Sequence, residues 1–225
     1  ERFGLRWIHP AAVLAHPLKD VSAGMLEQDV DATAAGRGVD ATAWRRLMGP
    51  LVAGWPELCG EVLGPVVHLP RHPLLVARFG AFALLPATTL AKMLFRGERA
   101  RALFAGCAAH SARPLESVAS SAVGLVLGAA GQAVGWPIVE GGAQALSDAL
   151  AKYFVSLGGE IRTGVPISDL RELGDADAIL CDVSPRQLRQ IAGDRLSPEY
   201  AEKMERFVYG PGAFKVDWAL SEPIP

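Results

Sequence analysis

Cysteine is scarce. Cys59, Cys107 and Cys181 are odd in number and tens of residues apart, which excludes a disulfide framework and a CxxC metal site and points to a reducing, cytoplasmic setting. A surplus of either charge is also lacking. Lys plus Arg number 22 against 24 Asp plus Glu, a formal net charge of −2, so nothing is available to hold a phosphate backbone by counterion release, and nucleic acid is excluded as a partner. There is no HExxH, no GxSxG and no Walker loop. The glycines at 124, 128 and 131 have the wrong spacing for a dinucleotide fingerprint and follow no strand-like run, so they read as close helix packing. Metal ligation is not expected either: Pro70 and Pro73 deny His68 and His72 a shared helix face, and Cys107 with His110 has no second ligand pair.

Long apolar runs are few, with one exception. Nothing between Glu116 and Glu140 carries a charge, which is long enough to span a bilayer, but the stretch is rich in Ser and Gly rather than Leu. A tightly packed buried helix is favoured over a membrane span. A second apolar segment, 79–95, precedes the basic cluster Arg96-Gly97-Glu98-Arg99-Ala100-Arg101. It reads either as a helix lining a substrate cavity or as a peripheral membrane contact, giving a protein that is cytoplasmic or membrane-associated.

What is present is a change of texture along the chain. Residues 3–8, 12–15 and 24–29 are short extended runs, two of them closed by His-Pro, and predict a small antiparallel meander. Beyond Asp40, a candidate N-cap, Trp44, Leu47, Leu51 and Trp55 recur at helical spacing. Prolines 65, 70 and 73 forbid regular structure across 62–73; helix is expected over 74–104, divided or kinked at Pro86, and over 115–134. After Gly135-Trp136-Pro137 an α/β pattern follows. A helix over 143–157, ended by Gly158-Gly159, precedes strand-like runs at 160–163 and 178–183. Ser184-Pro185 and Ser197-Pro198 open two short helices, and 213–220 alternates as a strand.

The pair Gly141-Gly142 opens the 143–157 helix, where residues without Cβ let backbone N–H groups approach a flat or electron-rich ligand. By itself such a pair is equally a tight turn. Its surroundings carry more. The run Gly135 to Leu146, then Leu157-Gly158-Gly159-Glu160-Ile161-Arg162-Thr163, Ile167-Ser168-Asp169-Leu170, Asp182-Val183-Ser184-Pro185 and Tyr209-Gly210-Pro211-Gly212, with Phe104-Ala105-Gly106-Cys107, resembles the phytoene-desaturase-like branch of the FAD-dependent amine-oxidase superfamily.

That resemblance implies an internal fragment of a two-domain flavoenzyme. The GxGxxG unit and the segment closing the flavin site would lie outside these residues, and both ends read as cuts. The expected fold is α+β with α/β character: a substrate domain over 1–134, a partial Rossmann-like FAD segment over 135–195, and a return to the substrate sheet over 196–225. The resemblance places Gly141 and Gly142 near the isoalloxazine, gives Ile167 a backbone contact to adenine, and sets Lys215 near flavin N5 through a water, where a strand-edge lysine is the other reading. The expected activity is hydride transfer between a hydrophobic, isoprenoid- or lipid-like small molecule and FAD, with no metal and no activity from this stretch by itself. The alternative is a non-catalytic lipid-binding or interaction module that keeps the substrate domain.

Overall fold

In the computed structural model every residue is described except 1, 2, 21, 66, 211, 213, 215, 217, 218, 220 and 223–225. The chain divides into two compact units, Glu1–Leu157 and Gly158–Pro225.

In the first unit, strand β1 (Trp7–Ile8) is followed by β2 (Leu14–Pro17) and β3 (Ala23–Leu26). Six helices come next: α1 (Val30–Ala35), α2 (Ala41–Ala53), α3 (Trp55–Val62), α4 (Pro73–Ala83), α5 (Ala87–Leu94) and α6 (Glu98–Ala109). Helix α7 (Ser120–Val134), β4 (Ile138–Val139) and α8 (Ala143–Ser156) complete it. The architecture is mixed helix with small antiparallel sheets, an α+β arrangement. β2 and β3 pair from Leu14↔Leu26 to Pro17↔Ala23. The expected three-run meander does not form, because β1 pairs instead with β4, Trp7 opposite Val139 and Ile8 opposite Ile138. The Glu140 amide donates to the Arg6 carbonyl at 3.0 Å, and Arg6 Nε meets Glu140 Oε2 at 2.7 Å, so the partner comes from 134 residues downstream.

The core lies among α2 to α7. Trp44, Leu47, Leu51 and Trp55, one helical stripe in the sequence, are all buried, and the rings of Trp44, Phe95 and Phe104 run in series with centroids 5.8 and 6.2 Å apart. Each such side chain contributes about 1.5–3 kcal/mol by leaving water. Helix α7 packs against this group through its small residues. A Cβ on Gly124 would sit 3.1 Å from Ala108 Cβ, one on Gly128 2.7 Å from Met48 Cε, and one on Gly131 2.9 Å from Leu26 Cδ2. The uncharged stretch is therefore a buried packing helix, as its composition suggested. Among the described residues no single helix is long and apolar enough to cross a membrane; α4 and α5 pass by composition only as a pair, bent by 97°.

Two helix boundaries differ from expectation. The 74–104 stretch breaks at Pro86 and again before Glu98, since Phe95 is extended (φ −117°, ψ 139°), its ring fully buried, and the next two amides bond to Asp40 rather than to a preceding turn. The 115–134 helix begins at Ser120, where Ala119 takes a left-handed φ of +65° and Ser120 Oγ donates to the Leu115 carbonyl at 2.9 Å and accepts from the Ala87 amide at 2.8 Å. The 79–95 segment supplies core: Leu90 and Phe95 are buried, and Arg101 Nε donates to the Phe95 carbonyl at 2.8 Å.

The second unit holds α9 (Pro185–Ala192) and α10 (Pro198–Glu205), each N-capped as its Ser-Pro signal predicts. Ser184 accepts from the Gln187 amide and Ser197 from that of Tyr200, and an ion pair between Arg189 and Glu205 at 3.1 Å links the two helices. A 3-10 turn over Leu170–Leu173 has a capping box from Asp169 and Glu172. The expected strands at 160–163 and 178–183 are absent. An extended apolar run becomes a strand only when a neighbour takes up its ladder bonds, and no described residue does so; Leu180 is 97% exposed. No parallel sheet occurs among the described residues. The alternating run at 213–220 rests largely on residues outside those described.

Candidate functional site

Gly141 and Gly142 form one exposed turn at the start of α8. Their φ values are +83° and +85°, a left-handed region that side chains with Cβ enter only with strain, so glycine is required here by the backbone. Crowding is not the reason: a Cβ on Gly142 would meet nothing within 4 Å, and one on Gly141 only Ala145 Cβ at 3.7 Å. The Gly142 amide closes the turn by donating to the Val139 carbonyl at 3.0 Å. No side chain caps α8, so the N-terminus of this 14-residue helix presents its partial positive charge and first-turn N–H groups outward. The turn is held from beneath by the β1–β4 pair and the Arg6–Glu140 ion pair. Such a surface can accept the face or edge of an electron-rich group.

The helix behind it forms as its stripe predicts but is little buried. Ala149 is covered, whereas Leu150, Tyr153, Phe154 and Leu157 are exposed, with Tyr153 tilted against Phe3 at 5.3 Å. Gly158, at φ +90°, stands where the sequence marks a C-cap. Ile167 belongs to the second unit, where it is half-buried two residues ahead of the Asp169 cap. The Ser168 and Asp169 amides beside it both donate to Glu172 Oε1, at 3.1 and 2.9 Å. Lys215 lies outside the described residues. Of the four candidates, then, the two glycines share one turn.

A different cluster escaped the sequence. Glu61, on α3, is buried, and residues 67–72 lie back against it so that His68 and His72 both reach it. His68 Nε2 stands 2.6 Å from Oε2, while His72 Nδ1 and the amides of Arg71 and His72 reach Oε1 at 3.1, 2.8 and 3.0 Å. The prolines that bar a helix there also shape this return. A cavity of about 640 Å³ lies alongside, lined by Glu57, Glu61, His68, Leu69, Arg71 and His72 among others. The hydrogen bond from His68 is the largest cause holding the Glu61 carboxyl down to about 2, and the same bond, with the Pro65 carbonyl, raises His68 above its ordinary value. Among the described residues no group of His, Cys, Asp and Glu is arranged to hold a metal ion. Cys107 is pushed up to about 11 by burial, so it is held as an inert thiol. In comparisons with protein-family models, with curated proteins and with solved structures, the chain matches none.

Proposed function

We propose that this chain is part of an FAD-dependent oxidoreductase of the phytoene-desaturase-like kind, exchanging hydride between flavin and a hydrophobic, isoprenoid- or lipid-like substrate. The observation that carries the reading is the Gly141-Gly142 turn, with both residues at positive φ, no side-chain cap, and open space above them at the start of a long helix. These features fit a flavin ring edge. Electron-rich atoms are favoured by the helix N-terminus, and the missing Cβ atoms allow close approach. When bound, FAD would supply the hydride chemistry; the residues of this chain would orient it and exclude water.

In this reading Gly141 and Gly142 contact the ring, Ile167 offers its backbone to the adenine, Lys215 lies near the reacting edge, and residues 135–195 are one segment of a Rossmann-like domain. The helices between 74 and 134 supply an apolar wall for the substrate. A cytoplasmic setting accords with three cysteines that are all free. The competing reading is a non-catalytic lipid-binding or interaction module that keeps the substrate domain without flavin.

The visible spectrum of the whole protein separates the two. Flavin absorbance is expected in the purified protein or after addition of FAD, and it should be lost in the Gly141→Val/Gly142→Val double variant while the helical circular dichroism remains. A protein with no bound flavin under either condition refutes the oxidoreductase reading.

A further inference from the structure

The Glu61 cluster has a protonation state that its geometry dictates. The Glu61 side chain is 5% exposed and receives four donors, two from side chains and two from backbone amides. His68 Nε2 faces the Glu61 carboxylate at 2.6 Å, and His68 Nδ1 faces the Pro65 carbonyl at 2.7 Å. Both partners are acceptors. A neutral imidazole has a single N–H, so only the imidazolium satisfies both contacts. His72 needs one N–H for its bond to Oε1 and is satisfied when neutral.

We propose that Glu61, His68 and His72 form a proton-operated latch that holds residues 67–72 closed along the wall of the adjoining cavity and releases them when His68 loses a proton. This device is independent of the flavin reading. Without that proton, one nitrogen of His68 opposes an oxygen lone pair, either the Pro65 carbonyl that shapes the loop or the buried carboxylate. The remaining donors to Glu61, the Arg71 and His72 amides and His72 Nδ1, all belong to the loop, so they loosen together. Three other ionisable groups bear on His68: Glu61, from α3, favours the cation; Arg71, in the loop, opposes it; His72 adds charge only if it is itself protonated, and Glu57, also from α3, lines the same cavity.

The two shifts bound the closed state. His68 is raised above 6.5, so its contribution is complete below 6.5 and is lost as pH climbs through the raised value. Glu61 is lowered from 4.5 to about 2, so its contribution is complete above 4.5 and is lost as pH falls toward 2. The latch is therefore shut between these limits; it opens on the alkaline side when His68 loses its proton and weakens at strongly acid pH when Glu61 gains one.

Hydrogen exchange of the intact chain across the 61–73 segment, corrected for the intrinsic pH dependence of exchange, tests this alongside imidazole NMR of His68. The expected result is a His68 titration above 6.5, with protection of the Arg71 and His72 amides falling roughly tenfold over the same range, the size of one hydrogen bond to a charged group. The transition should vanish in His68→Gln, which cannot titrate. Glu61→Gln should return His68 to its ordinary range; if that variant fails to fold, His68→Gln carries the test. Titration of His68 at or below 6.5, protection independent of pH, or a transition that persists at the same midpoint in His68→Gln would each overturn the proposal.

Discussion

Asp40 stands where an N-cap of α2 belongs, yet its side chain makes no bond to that helix. It is 2% exposed, and its carboxylate accepts from the Arg96 amide at 2.8 Å and the Gly97 amide at 2.6 Å, at the entrance to α6. Serine and alanine should therefore be equally poor replacements, because a serine hydroxyl serves as a local cap but is too short to span to the 96–97 backbone. Hydrogen bonds to a charged acceptor contribute about 1.5–3 kcal/mol each. Arg96 is exposed and Gly97 half-buried, so water recovers part of the loss, leaving roughly 3 kcal/mol for either substitution. In a chain of this size each kcal/mol lowers Tm by about 2–4 °C, which gives a shift of roughly 6–12 °C. Asp40→Asn retains one acceptor oxygen and should lose about half as much. Urea denaturation followed by tryptophan fluorescence reads all three, since Trp44 is buried near this junction. If Asp40→Ser stays within about 0.5 kcal/mol of wild type while Asp40→Ala does not, the cross-link has no weight and the residue acts as an ordinary cap.

Two further substitutions probe other close contacts within the first unit. A Cβ on Gly106 would lie 1.8 Å from His16 Cε1, so Gly106→Ala must expel the His16 ring and its 3.1 Å bond to the Ala102 carbonyl; a loss of about 2 kcal/mol in chemical denaturation is expected, and an unchanged midpoint would contradict the placement of His16. Ser120→Ala strands the Ala87 amide in a buried site, whereas the Leu115 carbonyl keeps its bond from the Thr88 amide at 3.3 Å; a cost of about 1.5 kcal/mol is expected by the same measurement, a loss under 0.5 kcal/mol counting against it.

What the sequence made legible is local. The Trp44, Leu47, Leu51 and Trp55 stripe, the Ser184 and Ser197 caps and the Gly158 terminus each depend on a few neighbouring residues, and each is found where periodicity or capping chemistry placed it. What stayed hidden is pairing over distance. Nothing in residues 7–8 announces that their partners are Ile138 and Val139, and nothing around Asp40 announces that its carboxylate bonds 56 and 57 residues away. The runs at 160–163 and 178–183 failed for the complementary reason, since strand composition cannot supply the second strand. At the candidate site, the turn conformation of Gly141-Gly142 was readable from glycine's tolerance of positive φ, while the Glu61 cluster required knowing how a proline-rich loop returns to the helix before it.

Helix α7 meets three separate stretches of chain through atoms that leave no spare volume: Gly124 under Phe104 and Ala108, Gly128 under Met48, Gly131 under Val13 and Leu26. In a lineage of related sequences these contacts become paired constraints. A residue that grows at 128 needs a shorter one at 48, and growth at 131 needs trimming at 13 or 26, so the helix leaves its mark on how substitutions are inherited together rather than on any one position.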